Sequence, residues 1–170
     1  DDTDEDTYVF MREIVDEFDM YYSSAFVASE PLSWHETTVD TYIYVENPDY
    51  WRKEAQHYTQ ASSSAESELW FPIDAEALET EVGQVDTDVG FETSSIEVQI
   101  EAVVRVQGAT VEGAGFDEEF RHSLDGVLTE HTIELTGSID SQEERPVGRL
   151  LLEHERSEEH TSELQSLLII

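Results

Sequence analysis

From Ser95 to Gln107 the chain alternates in polarity almost without a break. Ile96, Val98, Ile100, Ala102, Val104 and Val106 fall on one side. Glu97, Gln99, Glu101, Arg105 and Gln107 fall on the other, and only Val103 is out of step. Successive side chains of a strand point to opposite faces, so this spacing sorts the segment into one apolar and one polar face. A strand with one face in a core and the other in water belongs to an antiparallel sheet, since parallel strands are buried on both faces. Burying each of the five larger side chains contributes about 1.5–3 kcal/mol before entropy.

Shorter segments repeat this logic. Tyr8–Met11 reads as an edge strand, and Phe18–Val27 as a strand that Pro31 interrupts. In Thr37–Val45, Val39, Thr41, Ile43 and Val45 share a face, with Asp40, Tyr42 and Tyr44 opposite. Asn47-Pro48-Asp49 signals a turn, and Tyr50–Tyr58 returns from it. Glu68–Phe71 is a strand closed by Pro72, and Val147–Leu152 is a last one. Asp74–Val85 is the one helix: Asp74 suits the N-cap, and Leu78, Val82 and Val85 recur at helical spacing. Phe116–Leu124 and Val127–Thr136 read as a hairpin about Asp125-Gly126, a type I′ turn signal. That register sets Leu124 opposite Val127, Arg121 opposite Glu130 as an ion pair, and Phe120 opposite His131. It places Phe116, Phe120, Leu124, Val127, Ile133 and Leu135 on the apolar face. The expected fold is mainly β, an antiparallel β-sandwich of immunoglobulin or fibronectin type, with one short helix near 74–85. Residues 1–7 form an acidic lead-in, and residues 8–155 form the single domain.

Forty-one acidic residues face eight basic ones, for a net charge of −33, and Lys53 is the only lysine. The acids are spread along the chain. Such density repels itself in dilute buffer, whereas in molar salt the Debye length falls to about 3 Å and screens it. Carboxylates hold water and hydrated salt cations, which points to a salt-adapted protein. Acidic disorder is set aside by the 38% hydrophobic and 10% aromatic residues and by their patterning. Nucleic acid is excluded as a partner, because no basic patch exists to neutralise phosphates. The absence of cysteine rules out disulfides, thiol nucleophiles and zinc–thiolate sites. Asn47 is the only asparagine and precedes proline, so no glycosylation sequon exists.

Arg156–Ser166, RSEEHTSELQS, resembles the in-frame translation of a common short-read sequencing adapter. Residues 156–170 are therefore set outside the fold. Their charged residues are Arg156, Glu158, Glu159 and Glu163, so the charge imbalance stands without them. The apparent metal cluster His154, Glu155, Glu158, Glu159 and His160 straddles this junction and is discounted.

Tyr8-Val9-Phe10 with Ile14 and Val15 make an aromatic-led opening, and Tyr50-Trp51-Arg52 follow in a later strand. The acidic helix Asp74–Val85, the alternating strand Ile96–Gly108 and the hairpin from Phe120-Arg121 to Leu135 come next. In order and spacing the chain resembles, over most of Tyr8–Gly137, an uncharacterised haloarchaeal family of membrane-anchored proteins, a domain of unknown function. The resemblance implies a β-rich extracytoplasmic domain at the cell surface of a halophilic archaeon, tethered by a transmembrane helix and carrying no catalytic residues. No apolar run here reaches the roughly 18 residues of a membrane helix, so membrane contact would run through an anchor beyond this fragment.

Candidate chemistry is sparse. Glu118 lies between Phe116 and Phe120 on an apolar face, and glycoside hydrolysis needs two facing carboxyls. Asp86-Thr87-Asp88 with Gly90 offers oxygen ligands for calcium, as does Asp1–Asp6, without EF-hand spacing; Asp86 and Asp88 are the weak metal candidates. His122 and His131 share the hairpin's apolar face in the expected register and could hold zinc. His35 and His57 belong to no motif, and HExxH is absent. Trp34, Trp51 and Trp70 could make a sugar-stacking platform, although core positions are the simpler expectation. No nucleophile elbow or phosphate loop occurs.

The expected function is a salt-adapted extracytoplasmic structural or interaction module that meets a protein partner at the cell surface, with no cofactor and no catalysis. The alternatives are a carboxylate-dependent glycoside hydrolase and a calcium-stabilised adhesion domain. The alternating strand makes one sharp prediction. Ile100→Asp, a carboxylate forced into the apolar face, is expected to cost about 3 kcal/mol or more, measured by chemical unfolding in molar potassium chloride.

Overall fold

The computed structural model describes residues 6–12, 17–90, 93, 95–137, 144–148 and 165–169. In chain order its strands begin with β1 (Asp6–Met11), β2 (Glu17–Ala25), β3 (Val27–Ala28), β4 (Leu32–Asn47), β5 (Trp51–Ser62) and β6 (Glu66–Asp74). Helix α1 (Ala75–Val89) follows, then β7 (Ile96–Thr110), β8 (Gly115–Leu128), β9 (Thr132–Gly137), β10 (Glu144–Gly148) and β11 (Gln165–Ile169). The fold is mainly β. One antiparallel sheet has the order β1-β9-β8-β7-β4-β5, and a two-stranded antiparallel ribbon joins β2 to β6. A small third sheet runs β10-β11-β3.

The alternating segment is the inner strand predicted from sequence. β7 pairs with β4 along one edge and β8 along the other, antiparallel on both. Ile96, Val98, Ile100, Ala102, Val104 and Val106 are all buried. Val103, the residue out of step, is only 8% exposed although it points to the opposite face, between Asp40 of β4 and Arg121 of β8. The inward row continues across the sheet through Val39, Ile43 and Val45 of β4, Phe120 and Leu128 of β8, and Ile133 and Leu135 of β9. Leu69, Phe71 and Ile73 of β6 and Ala75, Leu78 and Val82 of α1 belong to the same buried cluster. Ribbon and helix therefore share one buried cluster with the inner face of the six-stranded sheet.

Helix α1 starts where Asp74 predicts it. The Asp74 carboxylate accepts a hydrogen bond from the Ala77 N–H at 3.0 Å, satisfying an orphan donor of the first turn. The helix passes Gly83 and runs to Val89, four residues past the expected end. Gly90 stops it: at φ 76° its N–H donates to the Asp86 carbonyl at 2.8 Å, a left-handed cap that glycine adopts without Cβ strain. Two basic side chains clip the helix to the sheet. Arg12, just past β1, makes a bidentate pair with Glu79 at 2.5 and 3.0 Å and donates to the Thr129 carbonyl at 2.8 Å. Lys53 of β5 reaches Glu81 at 2.5 Å.

Three expectations are corrected. The hairpin does not turn at Asp125-Gly126. β8 runs straight through both residues, pairing Asp125 with Thr136, Gly126 with Leu135 and Leu128 with Ile133. The turn is Thr129–Thr132, closed by the Thr129 N–H donating to the Thr132 carbonyl at 2.9 Å. Gly126 answers a different need: a Cβ there would sit 2.5 Å from the Glu134 carbonyl oxygen, so it marks a close backbone approach inside a strand. In consequence Val127 points outward and is 36% exposed. Arg121 pairs with Glu119 and Glu101, not Glu130, and His131 sits exposed in the turn. Second, Pro72 does not end its strand. β6 bonds only to β2, and an edge position tolerates the missing N–H. Third, the last strand expected at Val147–Leu152 is β10 at Glu144–Gly148; positions 149–152 lie outside the described residues. Gln165–Ile169, set outside the fold by the sequence reading, forms β11 against β10 and β3.

The corrected hairpin separates two positions by stability. Gly126→Ala is expected to cost about 1–3 kcal/mol through overpacking, while Glu130→Ala in the open turn stays within about 0.5 kcal/mol, both by chemical unfolding.

Candidate functional site

A single small residue opens a hollow in the inner row of β7. Ala102 stands among isoleucines and valines, opposite Thr41 of β4 and His122 of β8. Above this dip lies a cavity of about 360 Å³ between the sheet and the ribbon. Its floor is Thr41, Ile100, Ala102, His122, Leu124 and Leu135, with Tyr8 and Phe10 of β1 at one end. Phe18, Met20 and Tyr22 of β2 and Phe71 of β6 close it from the ribbon side. Asp19 and Tyr21 alternate to the outer side of β2 yet also line it. Among the described residues β2 is hydrogen-bonded on one side only, to β6 within the ribbon.

The walls are aromatic and ordered by ring contacts. Phe10 and Phe18 stack with centroids 4.3 Å apart and planes 11° from parallel. The Tyr22 ring lies 6.1 Å from His122, and burial raises the Tyr22 phenol above its ordinary pKa, which keeps it a neutral donor. At the rim Tyr21 packs on Trp70 at 4.5 Å, and its own pKa is raised first by a hydrogen bond to Glu68. Thr37 and Thr41 of β4 are both fully buried, and the Oγ1 of each has no hydrogen-bond partner, although buried hydroxyls are normally satisfied.

The opposite face of the sheet is open and carries a lattice of charge. Arg121 of β8 donates to Glu119 at 2.7 Å and to Glu101 of β7 at 3.0 Å, and Arg105 of β7 donates to Glu119 at 2.8 Å. On the next strands His57 bonds Asp40 at 2.9 Å and stacks on Tyr42 at 4.4 Å. Arg52 lies 4.0 Å over the Tyr44 ring and bonds Gln99. These pairs are exposed and screened, so each adds little to stability.

The residues singled out from sequence do not converge. Glu118 is on the inner face of β8, half-buried, opposite Val106 and away from the cavity lining. Asp86 spends both carboxylate oxygens on Thr93, accepting from its N–H and its hydroxyl at 2.8 Å each; Asp88 is exposed near the helix end. Asp1–Glu5 lie outside the described residues. His122 and His131 are separated, one at the cavity and one in the turn. Trp34 and Trp70 are exposed, at 54% and 64%, on different sheets, and Trp51 packs against the core. Among the described residues no group of three or more His, Asp or Glu side chains is placed to hold a metal ion, and no helix is long and apolar enough to cross a membrane. Sequence reasoning missed the cavity. Its signals were small: one alanine within a valine and isoleucine row, and one histidine on an apolar face.

Glu119 shows how the open face responds to acid. Hydrogen bonds from Arg121 and then Arg105 lower its pKa. A depressed carboxyl stabilises the fold above its unfolded pKa, and that contribution fades as pH falls through the folded value. An NMR titration is expected to place Glu119 below an ordinary glutamate, and Arg121→Gln to return it upward. In comparisons with known proteins, no family model, curated protein or solved structure matches the chain.

Proposed function

We propose that the chain is a salt-adapted, extracytoplasmic structural or interaction module at the cell surface of a halophilic archaeon, built as a two-layer β-sandwich. In that arrangement the β2–β6 ribbon with α1 is one layer and the six-stranded sheet is the other. The observation that carries this reading is the placement of the carboxylates. Where they meet cations they do so as stapling pairs, at Arg12–Glu79, Lys53–Glu81 and the Arg105–Glu119–Arg121 chain. Among the described residues they are not gathered around the cavity. The cavity presents one carboxylate, Asp19 at its rim, and glycoside hydrolysis needs two across a bound sugar. Calcium-stabilised adhesion draws little support from Asp86, whose oxygens already cap the chain after the helix.

The charge reading has a direct consequence. At net charge −33 the compact state is expected to weaken steeply as salt is removed, because screening is lost. The melting temperature followed by circular dichroism is expected to rise continuously from millimolar to molar potassium chloride. A melting temperature unchanged in desalted buffer would remove salt adaptation. Biotinylation of intact cells expressing the full-length protein tests the location, and protection equal to that of a cytoplasmic control would overturn it.

A further inference from the structure

The six-stranded sheet treats its two edges differently. β5 carries Arg52, Lys53 and Glu54 in succession, and a bulge interrupts its register with β4 between Ile43 and Tyr44. Charges and bulges are devices that keep a sheet edge from pairing with another chain. β1, at the opposite end of the sheet, has neither. Thr7–Met11 holds no charge and no proline, in a chain that is 29% charged, and its register with β9 is unbroken. Tyr8 and Phe10 turn to the core, while Val9 and Met11 stand on the open face, 53% and 48% exposed. A strand apolar on both faces reads as an interior strand, yet among the described residues β1 pairs only with β9.

The ladder shows which backbone groups this edge offers. The Arg12 N–H donates to the His131 carbonyl at 2.9 Å, one step past the Met11–Thr132 pair. Bonded and non-bonded pairs alternate along an antiparallel ladder, so Thr7, Val9 and Met11 direct their N–H and C=O groups away from β9. We propose that this edge is the seam of a two-fold dimer, in which β1 pairs antiparallel with β1 of a second copy of the chain about an axis at Val9.

The occupant follows from self-complementarity. An axis at Val9 sets Val9 against its own copy and Thr7 against Met11, the residues whose backbone groups point outward. It sets Tyr8 against Phe10 on the inner side. Each pair keeps its face, so the core row and the open face both run on across the seam. No charge lies in the paired stretch, and one position beyond it Asp6 falls opposite Arg12, acid against base. Two chains of net charge −33 repel, but molar salt screens that repulsion, and the strand brought to the seam adds nothing to it. A two-fold contact uses the same patch on both copies and closes at two. This pairing goes beyond the surface role proposed above and does not depend on it.

Sedimentation equilibrium of the full chain in molar potassium chloride is expected to give a mass that rises with concentration to that of two copies and no further. Val9→Pro removes an N–H that β9 does not use, a change an edge strand tolerates. That variant is expected to keep the wild-type circular dichroism and to sediment as one copy. Should it fail to fold, cysteine placement decides. The chain has no cysteine, and a hydrogen-bonded pair in an antiparallel ladder holds its Cα atoms about 5.5 Å apart, within reach of a disulfide. Val9→Cys is therefore expected to form a covalent dimer on mild oxidation. Val127→Cys, on the same face but two strands in from the edge, is expected to form about tenfold less or none. One-copy mass at every concentration, growth past two copies, a folded Val9→Pro variant that still dimerises, or equal cross-linking at both positions would each overturn the proposal.

Discussion

Like-charge repulsion is the force that every other interaction in this chain must offset, and the few cations are placed where offsetting it holds the most structure. All five basic side chains that the structure describes are engaged with acids. None of these contacts is decorative in position. Arg12 joins the end of β1 to α1 and to the β8–β9 turn, and Lys53 joins β5 to the same helix. Arg52 bridges β5 to β4 and β7, and Arg105 and Arg121 lace β7 to β8. Arginine suits this work, because its planar fork serves two acceptors at once. Arg12 is the most buried of them, with 12% of its side chain exposed, so its pair with Glu79 is less screened than those on the open face. Losing it would remove the link that joins β1, α1 and the β8–β9 turn.

The sheet resolves the same conflict by faces. The inner row of β7 is apolar and paired on both edges, so the charges of β4, β7 and β8, Glu118 apart, are driven to one open surface. There they alternate with arginine, tyrosine and histidine. The inner face then packs without cations, apart from the margins where Arg12 and Lys53 reach α1. That is why the hollow over Ala102 is lined by rings and by Thr41 and His122, with its only carboxylate at the rim. Separation of charge from core and the apolar character of the cavity have one cause.

The strand and helix pattern was legible where a long period or a specific cap spoke for itself. β7 appears nearly at its predicted bounds because its alternation runs too long to fit a helix, and α1 begins at Asp74 because the carboxylate has a backbone donor to satisfy. Legibility failed where one residue type serves two physical ends. Gly126 after Asp125 is chemically indistinguishable from a type I′ turn, yet the fold uses the missing Cβ to let Glu134 approach. The true turn has no glycine at all: Thr129 caps it, its hydroxyl accepting from the Thr132 N–H at 3.0 Å. That error shifted the register, and with it Val127, His131 and the partner of Arg121. The inner positions of Phe116, Phe120, Leu124, Ile133 and Leu135 survived because the true and the expected turns differ by a register that preserves parity on those residues. The cavity was illegible for another reason. A hollow depends on which small side chain faces which ribbon residue, and nothing in the local sequence ties Ala102 to Phe18, Met20 and Tyr22.

Salt acts unequally on the two faces of this sheet. At molar ionic strength the Debye length is about 3 Å, so the exposed Glu119–Arg121 and Glu119–Arg105 contacts lose most of their long-range attraction while repulsion among the remaining carboxylates falls with them. The inner face holds by apolar burial, which screening does not touch. The net effect of salt is therefore to remove a penalty without removing the core.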